Sequence, residues 1–184
     1  MIRQHSCLIY LFLLLALTGC RQAPTPCTLS LAKRTQYLQQ MQAWQITGRI
    51  STTYRGENTT ASFTWQQHNE RYHIHFYSAF STDTLTIVGD DKSFKATTNA
   101  DANDLALEHI PFQHLSQWLK GNIAATDVTK KSYDRYNQLQ TLQQSGWVIE
   151  YQSYANTPPV SLPEKMTLTD GTTKAKLIIK NWQK

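Results

Sequence analysis

The segment Arg71-Tyr72-His73-Ile74-His75-Phe76-Tyr77 decides the fold. Its even positions, Tyr72, Ile74 and Phe76, are large and apolar, and His73 and His75 alternate with them. A period of two marks a strand with one dry face and one wet face, because successive side chains point to opposite sides of a pleated chain. The alternation recurs on both sides of this segment. Ser62-Phe63-Thr64-Trp65 precedes it, and Leu85 and Ile87 follow it. Trp147, Ile149 and Tyr151 repeat it, as do Met166 and Leu168. Lys176-Leu177-Ile178-Ile179-Lys180 is a shorter apolar run bracketed by lysines. Arg55-Gly56-Glu57-Asn58, Gly89-Asp90-Asp91 and Asp170-Gly171 sit between apolar runs and carry hairpin-turn chemistry. The pattern predicts antiparallel sheet.

Helical spacing interrupts this pattern in three places. Leu31, Leu38 and Met41 lie seven and three apart within 31–42, which predicts a helix with one apolar face. Residues 101–109 are rich in Ala, Leu and Asp. Pro111 opens a third stretch, 112–120, in which Leu115, Trp118 and Leu119 share a face and Gly121 supplies a C-terminal stop. Many strands and few helices predict a mainly β fold, one curved antiparallel sheet with helices on its concave side. Trp44, Phe63, Trp65, Tyr72, Phe76, Trp118, Trp147 and Tyr151 fall mostly on predicted inward faces. Each alone reads as packed core. As a set they also suit the wall of a cavity, because a wide bent sheet is hard to fill with side chains.

The N-terminus has the layout of a secretory signal. Arg3 gives a short positive start, Leu8 to Leu17 is an almost unbroken apolar run, and small residues lead to Cys20. A run of ~10 residues is too short to cross a bilayer, which takes ~20. Leu17-Thr18-Gly19-Cys20 resembles a bacterial lipobox, in which cleavage leaves the cysteine first and its thiol and amine become acylated. The chain of 184 residues therefore divides into a signal at 1–19, a lipidated tether at 20–30 with Pro24 and Pro26, and a single domain at 31–184. Cys7 leaves with the signal and Cys20 is the lipid site, so Cys27 has no partner for a disulfide and reads as a tether residue.

Removing 1–19, which holds Arg3 and no acid, takes the formal charge from +5 to 17 − 13 = +4, a modest positive balance that suits an anionic lipid surface or an acidic partner. The Lys and Arg are scattered without a basic stripe, which argues against nucleic acid. Catalytic patterns are missing. There is no Gly-x-Ser-x-Gly, no phosphate-binding Gly-Lys-Ser/Thr loop, no His-Glu-x-x-His and no Cys-x-x-Cys. His73 and His75 could face one metal, but two ligands fall short of what zinc takes and no acidic or Cys cluster completes them. The residues call for no cofactor or metal and give no sign of an enzyme.

Several segments together resemble one family. The lipobox, the helix leading into Trp44-Gln45-Ile46-Thr47-Gly48-Arg49, the strand Phe63-Thr64-Trp65-Gln66-Gln67 and the pair Arg71-Tyr72 form a first group. Leu115-Ser116-Gln117-Trp118-Leu119 with Gly121, Gly146-Trp147 with Tyr151, Leu162-Pro163, Met166-Thr167-Leu168-Thr169-Asp170-Gly171 and Trp182 form a second. In order and spacing they resemble the LolB family of outer-membrane lipoproteins over nearly the whole chain.

The resemblance implies an incomplete, half-open β-barrel with helices capping an apolar cavity for acyl chains. It implies a receptor that accepts lipoproteins from a periplasmic carrier, LolA, and inserts them into the outer membrane without nucleotide hydrolysis. It places the chain as a monomer on the periplasmic face of that membrane, anchored through Cys20. Arg21 after Cys20 agrees with outer-membrane sorting. It also implies a protruding loop with one exposed apolar residue. Here the loop is 77–83 and the residue is Phe80, where leucine is usual, followed by Ser81 in place of a usual glycine. Alternation assigns the cavity wall to Trp65, Ile74, Phe76, Leu85, Ile87, Trp147, Ile149 and Met166. A triacylated client must hide its chains in water. At ~0.8 kcal/mol per buried methylene, ~40 methylenes amount to roughly 30 kcal/mol, which asks for a deep apolar site. Two other readings stand beside this one, a lipocalin-like lipoprotein with a small apolar ligand and an envelope hydrolase.

Overall fold

A computed structural model describes residues 29–78, 84–99 and 110–184. Among them the chain forms ten strands. The first five are β1 (Ala43–Tyr54), β2 (Glu57–His68), β3 (Arg71–Tyr77), β4 (Thr84–Gly89) and β5 (Phe94–Thr98). The second five are β6 (Val128–Tyr133), β7 (Leu139–Gln144), β8 (Trp147–Ala155), β9 (Leu162–Thr169) and β10 (Thr173–Gln183). Two helices accompany them, α1 (Leu31–Gln40) and α2 (Phe112–Leu119). All strands belong to one antiparallel sheet in the order β5-β4-β3-β2-β1-β10-β9-β8-β7-β6. Each half is a meander, and β1 pairs with β10 to join the halves. β5 and β6 remain edges, so the barrel is incomplete, as expected.

Alternation fixes which face is dry. Tyr72, Ile74 and Phe76 are buried in β3, and the residues between them are not. The register then stacks like on like. Trp65 lies opposite Ile74, and Ile74 opposite Ile87. In the other half Tyr151 lies opposite Met166, and Met166 opposite Leu177. A slip of one residue would turn each row outward, so the dry face pins the register. The eight aromatics expected to point inward are all buried.

The expected turns form. Asp90 Oδ1 accepts from the Lys92 and Ser93 amides at 2.9 and 2.8 Å, and Asp170 Oδ1 accepts from the Thr172 and Thr173 amides at 2.8 and 2.7 Å. Each carboxylate supplies the turn's missing acceptor. Gly48 sits where the β1–β10 register shifts, and a Cβ there would collide with the Ile178 carbonyl oxygen.

Three expectations need amendment or lie elsewhere. The apolar face expected of α1 includes Leu31, which is 39% exposed, whereas Arg34 on the same helix is 3% exposed. Leu31 and Leu38 share an angular position, but seven residues put them about 10 Å apart along the axis, enough for that face to leave the sheet. Strands β1, β5, β6 and β7 add to those the alternation had marked. The helical stretch expected at 101–109, and Phe80, Cys20 and Cys27, lie outside the described residues.

Candidate functional site

The inner face of the sheet is one continuous apolar surface. Trp65, Ile74, Phe76, Leu85 and Ile87 occupy β2, β3 and β4, and Trp147, Ile149 and Met166 occupy β8 and β9. All eight are buried and belong to a single cluster that runs across both halves. Aromatic contacts knit the first half. Trp65 lies 5.3 Å from Tyr72 and 6.3 Å from Phe112, and stacks on Trp44 at 5.9 Å. Phe63 meets Phe76 at 6.2 Å, and Trp44 meets Trp182 at 5.4 Å. Large rings keep the sheet face apolar across a wide area.

The two helices cover this surface. α2 contributes Phe112, Leu115, Trp118 and Leu119, all buried, because its apolar residues recur at three- and four-residue spacing. Polar side chains fasten it. Trp118 Nε1 donates to Gln144 Oε1 at 2.8 Å, and Tyr151 Oη donates to the Trp118 carbonyl at 2.9 Å. Gln144 also accepts from the Ala124 amide at 3.2 Å and donates to the Ala124 and Thr126 carbonyls at 2.9 and 3.0 Å.

α1 is held differently. It buries Leu38, and the other residue it buries is Arg34. Arg34 Nη1 donates to the Ser161 carbonyl at 2.8 Å, and its guanidinium lies 5.5 Å over the Tyr154 ring. Burial lowers its pKa, with tyrosines 154, 151 and 133 and Asp134 opposing. At the other end Lys120, only 4% exposed, donates from Nζ to the Leu38 and Met41 carbonyls at 3.0 and 3.4 Å. These are carbonyls at the end of α1 that have no partner within the helix. Burial brings the Lys120 ammonium down to about 8. The sequence reading missed Arg34, Lys120 and Gln144. A signal existed for Arg34, which lies four residues before Leu38 and so shares its face.

Three clefts are found among the described residues. One of about 260 Å³ is lined by Met41, Trp44, Gln67, Glu70, Gln117 and Lys120, among others. A second, of about 390 Å³, includes Asp134, Gln138, Tyr151, Tyr154 and Ser161. A third, of about 370 Å³, includes Tyr72, His114 and Gln117. None of the eight wall residues lines these three. His73 is exposed on the opposite face of the sheet, and His75 meets Thr86 there at 3.2 Å. Among the described residues no cluster of His, Cys, Asp and Glu could hold a metal. No described helix is long and apolar enough to cross a membrane.

The profile of the family described as "Outer membrane lipoprotein LolB" matches residues 42–182. The outer-membrane lipoprotein LolB of Coxiella burnetii (strain RSA 493 / Nine Mile phase I) is 28% identical over 163 residues, which cover 83% of this chain and 77% of that one. The protein of the same name from Psychromonas ingrahamii is 29% identical over 192 aligned positions, covering 94% and 93%. Among solved structures, a LolA superfamily protein from Nitrosomonas europaea superposes with a TM-score of 0.48 at 8% identity, over 84% of this chain and 93% of that one.

Proposed function

This chain belongs to the LolB family of outer-membrane lipoproteins, and on that premise we propose that it is a receptor that accepts lipoproteins and inserts them into the outer membrane. The observation that carries the reading is the unbroken apolar inner face beneath two helices, on a sheet that does not close. An acyl chain needs a wide apolar surface of this kind, and because all eight wall residues are buried, the helices that cover them must part to admit it.

In this reading the donor is a periplasmic carrier of the LolA type, and the client's acyl chains seat against Trp65, Ile74, Phe76, Leu85, Ile87, Trp147, Ile149 and Met166. Nucleotide plays no part. Transfer runs down a gradient of affinity, with the receptor holding the chains better than the carrier and the bilayer better than the receptor. No covalent chemistry is asked of the protein. Acylated Cys20 tethers the domain to the periplasmic face of the outer membrane, and Phe80 enters the bilayer when cargo is released.

The experiment is transfer in vitro. A radiolabelled lipoprotein loaded on the carrier is mixed with this protein, and the complexes are separated. Movement of label to this protein without nucleotide supports the reading. Label that stays on the carrier, with this protein folded and in excess, overturns it.

A further inference from the structure

Arg34 is the one buried guanidinium among the described residues. Its charge is only partly answered. Nη1 bonds the Ser161 carbonyl and the guanidinium faces the Tyr154 ring, but Nη2 is buried and makes no hydrogen bond among the described residues, where no carboxylate reaches ion-pair distance and Asp134 acts only from farther off. An unpaired donor on a buried cation is unfavourable, because water has been lost and nothing has replaced it. The two residues that hold it, Tyr154 and Ser161, both line the cleft of about 390 Å³, which Arg34 itself does not line. Tyr151 lines the same cleft and faces the inner apolar surface. The guanidinium thus sits behind the Tyr154–Ser161 wall of that cleft, beside the place where the apolar face gives way to a polar opening.

An acylated cysteine is built the same way. Its chains are apolar, and its head carries mostly acceptors, the ester carbonyls of the glyceryl group and the amide carbonyl of the N-acyl chain, beside a single amide N–H. Chains placed on the apolar face bring those oxygens to its polar margin, where they lose water and need donors. We propose that Arg34 binds the acyl-ester and amide carbonyls of the client's lipidated cysteine, so that this site reads the head of the cargo while the inner face reads its chains. This rests on the receptor reading above. It makes the guanidinium a selectivity element, since a hydrocarbon tail alone would leave Nη2 unanswered.

The test replaces acceptors in the ligand. The purified full chain is titrated with a fluorescent diacylglyceryl-cysteine peptide and with its dialkyl-ether analogue, which keeps the chains and lacks the ester carbonyls. A hydrogen bond to a charged donor corresponds to about tenfold or more in affinity, so the ester is expected to bind about tenfold tighter. Arg34→Met is expected to bind both ligands alike, at the level of the ether. Arg34→Lys, which keeps a donor, is expected to restore part of the preference. Equal binding of ester and ether by the unaltered chain overturns the proposal whether or not the variants fold, and so does an ester preference that survives in folded Arg34→Met. Failure of both ligands to bind the unaltered chain overturns the receptor reading together with the proposal, whereas binding without preference overturns the role of Arg34 alone.

Discussion

Trp118 and Gln144 are fully buried and joined by a 2.8 Å hydrogen bond from indole Nε1 to amide Oε1. The bond ties α2 to β7. Gln144 also answers the Ala124 amide and the Ala124 and Thr126 carbonyls, so one side chain satisfies the polar groups of a whole connection. Gln144→Leu keeps the volume roughly constant and leaves those groups without a partner. A loss of about 2–4 kcal/mol is expected, read by urea unfolding. A loss below 1 kcal/mol would show that water replaces the amide.

Lys120 predicts a pH dependence. Its ammonium is brought down from 10.5 to about 8 by burial. Between these values the unfolded chain binds more protons than the folded one, so stability rises with pH from 8 upward and is unaffected by this group below 8. Tyr72, pushed up to about 12 by burial and then by Asp90, acts in the opposite direction once unfolded tyrosine ionises near 10. The thermal midpoint is therefore expected to climb from pH 8 to about 9.5. Lys120→Met should flatten that climb. The same slope in the variant would place its origin in another group.

Charge on the inner face should be harmful in a specific way. Leu85→Asp and Trp147→Asp put a carboxylate on the apolar surface in opposite halves of the sheet. Burying it without a partner is costly. Variants that retain a cooperative melt are expected to bind a fluorescent fatty acid at least tenfold more weakly, a loss of ~1.4 kcal/mol or more. Unchanged binding by such variants would make these residues ordinary core.

Phe80 is expected to act in release and not in acceptance. Phe80→Glu should take lipoprotein from the carrier normally and pass it poorly to vesicles, because a carboxylate does not enter the interface as a ring does. Phe80→Leu should behave like the unaltered chain. Equal delivery by Phe80→Glu would remove the insertion role, and a large fall in its melting temperature would mean that the ring is part of the core.

The anchor has its own test. Cys20→Ala should accumulate as uncleaved precursor without acyl label. Label at the level of the unaltered chain would contradict lipidation at Cys20.

The fold was legible where burial alternates. β3, β4 and β8 have one dry face each, and their residues announced it. β5 is exposed along its whole length, so Phe94–Thr98 offered no contrast to read. β6 buries nothing fully and carries Lys130 and Lys131, as an edge strand that resists further pairing does. In β7 the inward set ends on Gln144, which looks like a surface residue until its four partners are in place. The apolar part of the site was readable for the same reason as the sheet. Its polar margin was not. Arg34 and Lys120 are buried by elements distant in sequence, Ser161 for one and the end of α1 for the other, and their composition alone suggests solvent.

The central claim is that client acyl chains lie on the inner face. A lipoprotein carrying a photoactivatable group near the middle of one acyl chain can be handed over by the carrier and irradiated, and the crosslinked peptides can be mapped by mass spectrometry. The account predicts crosslinks to β2–β4 and to β8–β9 at Trp65, Ile74, Phe76, Ile87, Ile149 or Met166. Crosslinks confined to outward positions such as Tyr77, Val88 or Lys176, with efficient handover, would contradict it.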